Sequence, residues 1–353
     1  MLRVWSKEFM KIIHSADIHL DSPLAGVKDS ALRRHELLVA LLNLSEYANN
    51  NGVSAIIIAG DLFDDSFTTT QTVESVAEIV KTSSAEWFVL RGNHGGRTSY
   101  DKLKQICPKI HFFGDSWTAY NLDSVTICGR ELGQNDVEQW GRLSLDASRY
   151  NILVLHGDID DASYGLIDKR TLSNCGARYV ALGHRHTFAE YKFGSVRACY
   201  SGVLESRGFD ELTETGFVEI DTDTDKIRFV KQAIRSLITK RIDVSNITTD
   251  IALQRAISDA VADVSPHNYL NIVFCGASPG DLHLETVAKQ QLSDRFFALR
   301  IKDETTARVD LSALTQEISL CSEFVKLAMG VKDEKLRDEV VKLGLAALSG
   351  GSL

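Results

Sequence analysis

The chain has 353 residues, 44% hydrophobic and 25% charged, enough to bury a large core and to make two domains. A formal net charge of −9 argues against a protein that coats nucleic acid by bulk electrostatics, though bound cations can reverse the sign at one site. No apolar run approaches the ~18 residues that span a bilayer and the opening MLRVWSKEFM lacks a signal peptide's apolar centre, so a cytoplasmic location is expected.

Met10-Lys11 opens the first strand, KIIHS (11–15), directly, so the first nine residues read as a dispensable extension or a misassigned start. The segment 31–50 then places Leu37, Leu41, Leu44 and Ala48 on one helical face. SAIIIAG (54–60) is a second apolar strand, and TQTVESVAEIVKT (70–82) puts Val73, Val76 and Val80 on one face of a second helix. EWFVLRG (86–92), NILVLHG (151–157) and YVALGH (179–184) complete a set of short apolar runs that end in Gly, Ser or His. Strands of this kind between helices imply an α/β architecture with covered sheets, whose ligand sites gather at strand ends. GFVEIDTDTDKIRFVKQ (216–232) alternates with period two and reads as a hairpin turning at Asp221–Asp225, which closes a first domain, 1–235. A strand, a helix (251–263), a strand, a helix (283–292), a strand and a long helix after Asp310 make a second domain, 236–332. In the C-terminal helical tail, 333–353, Leu336, Val340, Leu343 and Ala347 form one stripe, which either folds back on the second domain or docks a partner. The six cysteines stand singly, without a CxxC pair, and read as reduced thiols.

The strand ends carry the chemistry. They hold Asp17-Ile18-His19, Gly60-Asp61-Leu62-Phe63-Asp64, Gly92-Asn93-His94, His156-Gly157-Asp158 and Gly183-His184-Arg185-His186, with five of the chain's ten histidines. A charge at the end of a buried strand costs several kcal/mol unless it is paired or bound to a cation, so Asp17 and His19 are either a turn cap or metal ligands. Oxygen and imidazole donors suit Mn²⁺, Fe²⁺ or Zn²⁺, and two such ions sharing one carboxylate are a device for displacement at phosphorus. Taken singly, each motif fits a solvated turn or a packed histidine. Five in order, each closing an apolar run, point to a dinuclear site.

DxH, GDxxD, GNH, a histidine closing a strand and GHxH, spread over residues 11–202, resemble the calcineurin-like metallophosphoesterase superfamily. The opening HSADIHLDSPLAG is similar to its branch of SbcD- and YhaO-type DNA repair exonucleases. The resemblance implies a four-layer αββα sandwich with a smaller α/β C-terminal capping domain that shapes access. It implies two divalent ions, Mn²⁺ first and Fe²⁺ or Zn²⁺ as alternatives, one held by Asp17, His19, Asp61 and His186, the other by Asp61, Asn93, His156 and His184. His94 would give a proton to the leaving group, while Asp64 either orients a ligand or caps a helix. Relatives carry an acid directly after the Asn-His pair, where this chain has Gly95, which predicts a weaker or more alkaline-sensitive acid at His94 unless Asp101 or Asp115 fills the gap. Arg91, Lys102, Lys104, Arg207 and, above all, Arg97 and Arg185 are candidate phosphate contacts. The implied activity is a Mn²⁺-dependent DNA exonuclease or endonuclease of DNA repair, partnered by an SbcC- or YhaN-like coiled-coil ATPase or by a second copy in a homodimer. The alternatives are a small-molecule phosphodiesterase or phosphatase, and a weakly active structural subunit of an SMC-like ATPase complex.

Overall fold

The computed structural model describes residues 10–24, 27–64, 67–94, 96–133, 140–159, 165–211, 213–278, 281–307 and 319–348. Residues 1–9 and Gly95 therefore lie outside the described residues. Two units are distinguished. The first takes Met1–Ile238, Val264–Asn271 and Asp294–Arg300, the second Thr239–Asp263, Ile272–Ser293 and Ile301–Leu353.

The first unit is built on two six-stranded sheets. One runs in the order β12-β11-β1-β2-β3-β4, from β1 (Lys11–Ser15), β2 (Val53–Ala59), β3 (Glu86–Leu90), β4 (Ile110–Phe112), β11 (Gly216–Asp221) and β12 (Lys226–Lys231). Strands β1 to β4 are parallel, and the β11–β12 hairpin joins β1 antiparallel, with its turn held by Asp221 Oδ1, which accepts from the Asp223 and Thr224 amides. The other sheet runs β5-β6-β7-β8-β10-β9, from β5 (Thr118–Leu122), β6 (Val125–Gly129), β7 (Tyr150–His156), β8 (Tyr179–Gly183), β9 (Ala189–Phe193) and β10 (Val196–Tyr200).

Period-two alternation decides which layer each side chain joins. In β2, Ile56 and Ile58 pack with Leu37, Leu41 and Leu44 of α1 (Ser30–Asn51) and Val76 and Val80 of α2 (Thr70–Thr82). Ala55, Ile57 and Ala59 point the other way, into a core shared with Ile152, Val154 and Ala181 of the second sheet. The far face of that sheet carries Leu153, Leu155, Val180 and Leu182 against Leu172 of a short helix, Lys169–Asn174. Helix, sheet, sheet and helix give the four-layer α/β sandwich. Because β1, β2, β3, β7 and β8 are buried on both faces, they read as continuous apolar runs, and their polar residues collect at the carboxyl ends.

The second unit takes the later residues, from Thr239, Ile272 and Ile301 on, of β13 (Leu237–Asp243), β14 (Tyr269–Cys275) and β16 (Ala298–Asp303), which form a three-stranded sheet, and a two-residue pair, β15 (Ala277–Ser278) and β17 (Thr306–Ala307). Leu253 and Ile257 of the helix Asp250–Ala260, and Val287 and Leu292 of the helix Leu284–Leu292, are buried. The single long helix expected after Asp310 is instead two among the described residues, Leu320–Ala328 and Glu334–Leu348. Gly330 follows the first, and Asp333 starts the second by accepting from the Leu336 amide. The two pack closely: a Cβ on Gly344 would lie 2.0 Å from the Phe324 ring. Val341 is buried, whereas Leu336 and Leu343 of the predicted stripe are about half exposed, at 53% and 49%. All six cysteines are unbridged, and no described helix is long and apolar enough to cross a membrane.

Candidate metal centre

The loops after β1 and β2 leave the sheet side by side and keep its ladder going. Asp17 N donates to Gly60 O (3.1 Å), His19 N to Asp61 O (2.9 Å) and Leu20 N to Leu62 O (3.0 Å). That pairing holds three non-glycine residues in left-handed backbone, Asp17 (φ 53°), His19 (50°) and Asp61 (50°), and His184, after β8, has φ 103°. Such conformations cost roughly 1–3 kcal/mol each and persist where neighbours over-determine them, which is common at functional sites. Here the neighbours are one another's backbones. Asp17 accepts from His184 N at 3.0 and 3.1 Å, and Asp61 accepts from His94 N at 2.8 Å.

The side chains converge between these loops. His156 closes β7 and donates from Nδ1 to Ala59 O (2.9 Å), which turns the Nε2 lone pair towards Asn93 Oδ1 (2.8 Å) and Asp61 Oδ2 (3.3 Å). His184 Nδ1 lies 3.2 Å from the same Asn93 oxygen. On the other side of Asp61, His19 Nε2 is 3.8 Å from Asp61 Oδ2 and 3.3 Å from His186 Nε2. Asp17, His19 and His186 bring ligand atoms within 4.8 Å of one another, as do Asp17, Asp61 and His156, and also His19, Asp64 and His94. Asp17, His19, Asp61 and His156 are each 1% exposed or less.

Acceptors face acceptors here, which is unfavourable without a cation or a proton between them. The pKa values register that conflict. Burial raises Asp17 to about 6, and burial with Arg207 nearby lowers His19 to about 2. Burial also pushes Asp61 up, but the hydrogen bond and charge of His156 outweigh it and leave Asp61 at about 2. His156 is raised because its bond to Asp61 outweighs its burial. A proton on His156 is thus one way to relieve the cluster, and divalent cations are the other. The donor set of carboxylate, imidazole and amide oxygen fits divalent metal ions.

All seven predicted ligands lie in this one cluster, with Asp61 in contact with both sides of it. His94 is half-exposed at its edge, with Nδ1 3.9 Å from Asp64 Oδ1. Asp64 also stands 3.9 Å from His19 Nδ1 and 3.8 Å from Arg207, and it does not cap α2, whose cap is Thr69. Among the described ion pairs, Asp64 rather than Asp101 or Asp115 is the carboxylate that faces His94.

The expected phosphate contacts divide. Arg185 is gripped by both oxygens of Asp158 (3.0 and 2.6 Å) and lies over the Tyr200 ring, Arg91 pairs with Glu131, Lys102 with Glu74 and Arg207 with Glu211. Arg97 and Lys104 are exposed on α3 (Arg97–Ile106). Glu211 is a residue of the cluster's surroundings that the sequence reading missed. It is buried, accepts from Arg207 Nε at 2.8 Å, and sits 2.9 Å from His186 Nδ1, which fixes that ring and leaves Nε2 aimed at the cluster. No spacing in SRGFDELTET signals this.

Comparison with known proteins agrees with the geometry. The sequence profile of the calcineurin-like phosphoesterases matches residues 10–188, just over half of the chain. The metallophosphoesterase YhaO of Bacillus subtilis is 22% identical over 86% of this chain and 84% of its own length. The DNA double-strand break repair protein Mre11 of Aeropyrum pernix is 22% identical over 67% of this chain and 64% of its own. A subunit of the nuclease SbcCD of Staphylococcus epidermidis is 21% identical over 67% and 76%.

Proposed function

The chain belongs to the calcineurin-like phosphoesterase family and is a metal-dependent phosphodiesterase, and on that footing we propose that it is a Mn²⁺-dependent DNA nuclease serving DNA repair. One cation would be held by Asp17, His19, Asp61 and His186, the other by Asp61, Asn93, His156 and His184, with Asp61 common to both sets. The observation that carries this reading is the convergence of acceptors on the buried His156 Nε2, with Asn93 Oδ1 and the buried Asp61 Oδ2 within 3.3 Å of it. When bound, two such ions neutralise charge on a phosphodiester and acidify an attacking water. The chain's own residues do the rest. The left-handed loops hold Asp17, His19 and Asp61 rigidly, Glu211 fixes the His186 ring, and His94 hands a proton to the leaving sugar oxygen. Asp64, facing His94 and His19, orients the His94 ring in place of the acid that Gly95 does not supply.

Imidazole-rich coordination favours Mn²⁺, Fe²⁺ or Zn²⁺ over Mg²⁺. An SbcC- or YhaN-like coiled-coil ATPase is the proposed partner. What supports it is the subunit status of the staphylococcal relative and the outward-facing Leu336 and Leu343 on the C-terminal helix. Six unbridged thiols suit a cytoplasmic setting.

The test is incubation of the full chain with Mn²⁺ and end-labelled single- and double-stranded DNA, beside His94→Ala. Wild type shortens the strands, with product lengths reporting exonuclease or endonuclease action, and the variant is slower by on the order of 10²–10⁴-fold. Identical traces from the two proteins would remove the role given to His94. Hydrolysis of small diesters with DNA left intact would move the assignment to a small-molecule phosphodiesterase.

A further inference from the structure

A cavity of about 230 Å³ opens on the carboxyl-end rim that carries the metal centre, and nothing in the metal chemistry uses it. Arg91 follows β3, Phe113, Gly114 and Asp115 follow β4, Glu131 lies just beyond β6, and α3 closes the side. Tyr100 and Phe113, both buried, and Phe112 supply an aromatic lining, with the Tyr100 and Phe112 rings edge to face at 6.5 Å. Arg97, Asp101 and Lys104 recur along one face of α3 and are exposed, with exposed Asp115 also lining the cavity. Arg91 is committed to Glu131.

Two links tie this cavity to the cluster. Tyr100 Oη accepts from Leu62 N at 3.1 Å, one residue beyond Asp61, so a single side chain lines the cavity and braces the Asp61 loop. Arg91 is joined through Gly92 alone to Asn93 and His94. An aromatic lining binds planar rings by stacking whatever their sequence, exposed guanidinium and ammonium groups take phosphate, and exposed carboxylates accept from ring or exocyclic N–H groups. We propose that this cavity is a nucleotide subsite. It seats the base next to the scissile phosphate against Tyr100, Phe112 and Phe113, while Arg97 and Lys104 hold the adjoining phosphate. Its role in cleavage rests on the nuclease reading above, but its binding of a nucleotide does not.

Binding is therefore measured first, on the full chain without metal, by calorimetry with deoxyadenosine 5′-monophosphate and with 2-deoxyribose 5-phosphate. The nucleotide is expected to bind about tenfold more tightly than the sugar phosphate, the contribution of one stacked base. Gly114 lines the cavity and a Cβ there meets nothing within 4 Å, so Gly114→Trp sets an indole at the cavity and should abolish that difference. Arg97→Ala with Lys104→Ala should weaken both ligands about equally. Equal affinity of nucleotide and sugar phosphate, or nucleotide binding untouched by Gly114→Trp, overturns the subsite. With Mn²⁺ present, Gly114→Trp should raise KM for DNA and leave kcat near wild type. Failure of wild type to cut any DNA would sink the nuclease reading instead, and the calorimetric difference would still stand or fall by itself.

Discussion

Two clusters of buried charge in the first unit are made from opposite inventories. Around Asp61, carboxylates, imidazole nitrogens and an amide oxygen face one another, and His19 Nδ1 has no hydrogen-bond partner among the described residues. Around Arg33, donors meet acceptors. Arg33 is fully buried, with Nη1 on Glu36 Oε2 (2.9 Å) and Nη2 on Glu205 Oε1 (2.6 Å), over the Tyr269 ring at 5.6 Å. Arg235 Nη2 reaches Glu36 Oε1 (2.6 Å), and Glu205 Oε2 accepts from Ile234 N (2.7 Å). Arg33 Nε is the exception, without a partner among the described residues. Apart from that nitrogen the second cluster is balanced as it stands, whereas the first is balanced only with something cationic added. Burial of charge therefore does not identify a functional site; a surplus of acceptors over donors does.

The largest effect should come from breaking the self-sufficient cluster. Arg33→Met keeps most of the side-chain volume but leaves Glu205 buried without a charged partner, while Glu36 keeps Arg235, a change that costs ~3–5 kcal/mol. Urea unfolding in EDTA should show that loss, and added Mn²⁺ should stabilise variant and wild type alike. A loss below about 1 kcal/mol would mean that the network relaxes or hydrates and is not the structural device described.

Asp61→Asn should behave in the reverse way. In EDTA its cost should be confined to the pair with His156, which the lowered Asp61 and raised His156 pKa values register, since an amide oxygen can still accept from His94 N, and the larger loss should appear with metal. Mn²⁺ at a hundred times its dissociation constant should stabilise wild type by about 2.7 kcal/mol and the variant by almost nothing. Thermal melts with and without Mn²⁺ separate these cases, and a full metal-dependent shift in Asp61→Asn would remove Asp61 as the shared ligand.

The contrast between the clusters also sets what could be read from the sequence. The residues of the cluster were legible because a parallel strand delivers its next residues to the rim, and because close approach demands glycine beside them. A Cβ on Gly60 would lie 2.0 Å from His156 Nδ1, and one on Gly92 would lie 2.2 Å from Asp61 Oδ1. The strands β1, β2, β3, β7 and β8 were legible for a related reason, since burial on both faces makes them uniformly apolar. Strands β5 and β9 pair on one side only and alternate polar with apolar residues, so nothing in TAYNL or AEYKF stands out. Glu211 was invisible because its partner, His186, is reached through space and not through a period. Arg33 was in principle readable. It precedes Leu37 by four residues on the stripe that continues through Leu41 and Leu44, but an arginine at a helix start is ordinarily solvated.

Acid should pull the two clusters in opposite directions, with the smallest effect of the three. Asp17 is raised to about 6 by burial, above its ordinary value of 3.8, so the folded state takes up a proton before the unfolded chain does. Its contribution to stability is thus fully present below about pH 4 and is lost as pH rises through 6. Glu36 is the opposite case: burial pushes it up, but the bonds from Arg235 and Arg33 outweigh that and leave it below the usual glutamate value of 4.5. Its contribution is present above that value and is lost as pH falls. The imidazole of His19, lowered to about 2, also loses stability on acidification below its ordinary 6.5 and masks Asp17 in the wild-type curve, so the comparison must be between proteins. In EDTA between pH 6 and pH 4, Asp17→Asn should lose stability faster than wild type on acidification, by at most about 1.4 kcal/mol per pH unit, the slope for one proton. Glu36→Gln, although weaker overall, should lose it more slowly as pH drops below about 5. Parallel curves for wild type and Asp17→Asn would show that Asp17 is not buried as a carboxylate in the cation-free protein, and the surplus of acceptors that distinguishes the two clusters would then be smaller than the geometry implies.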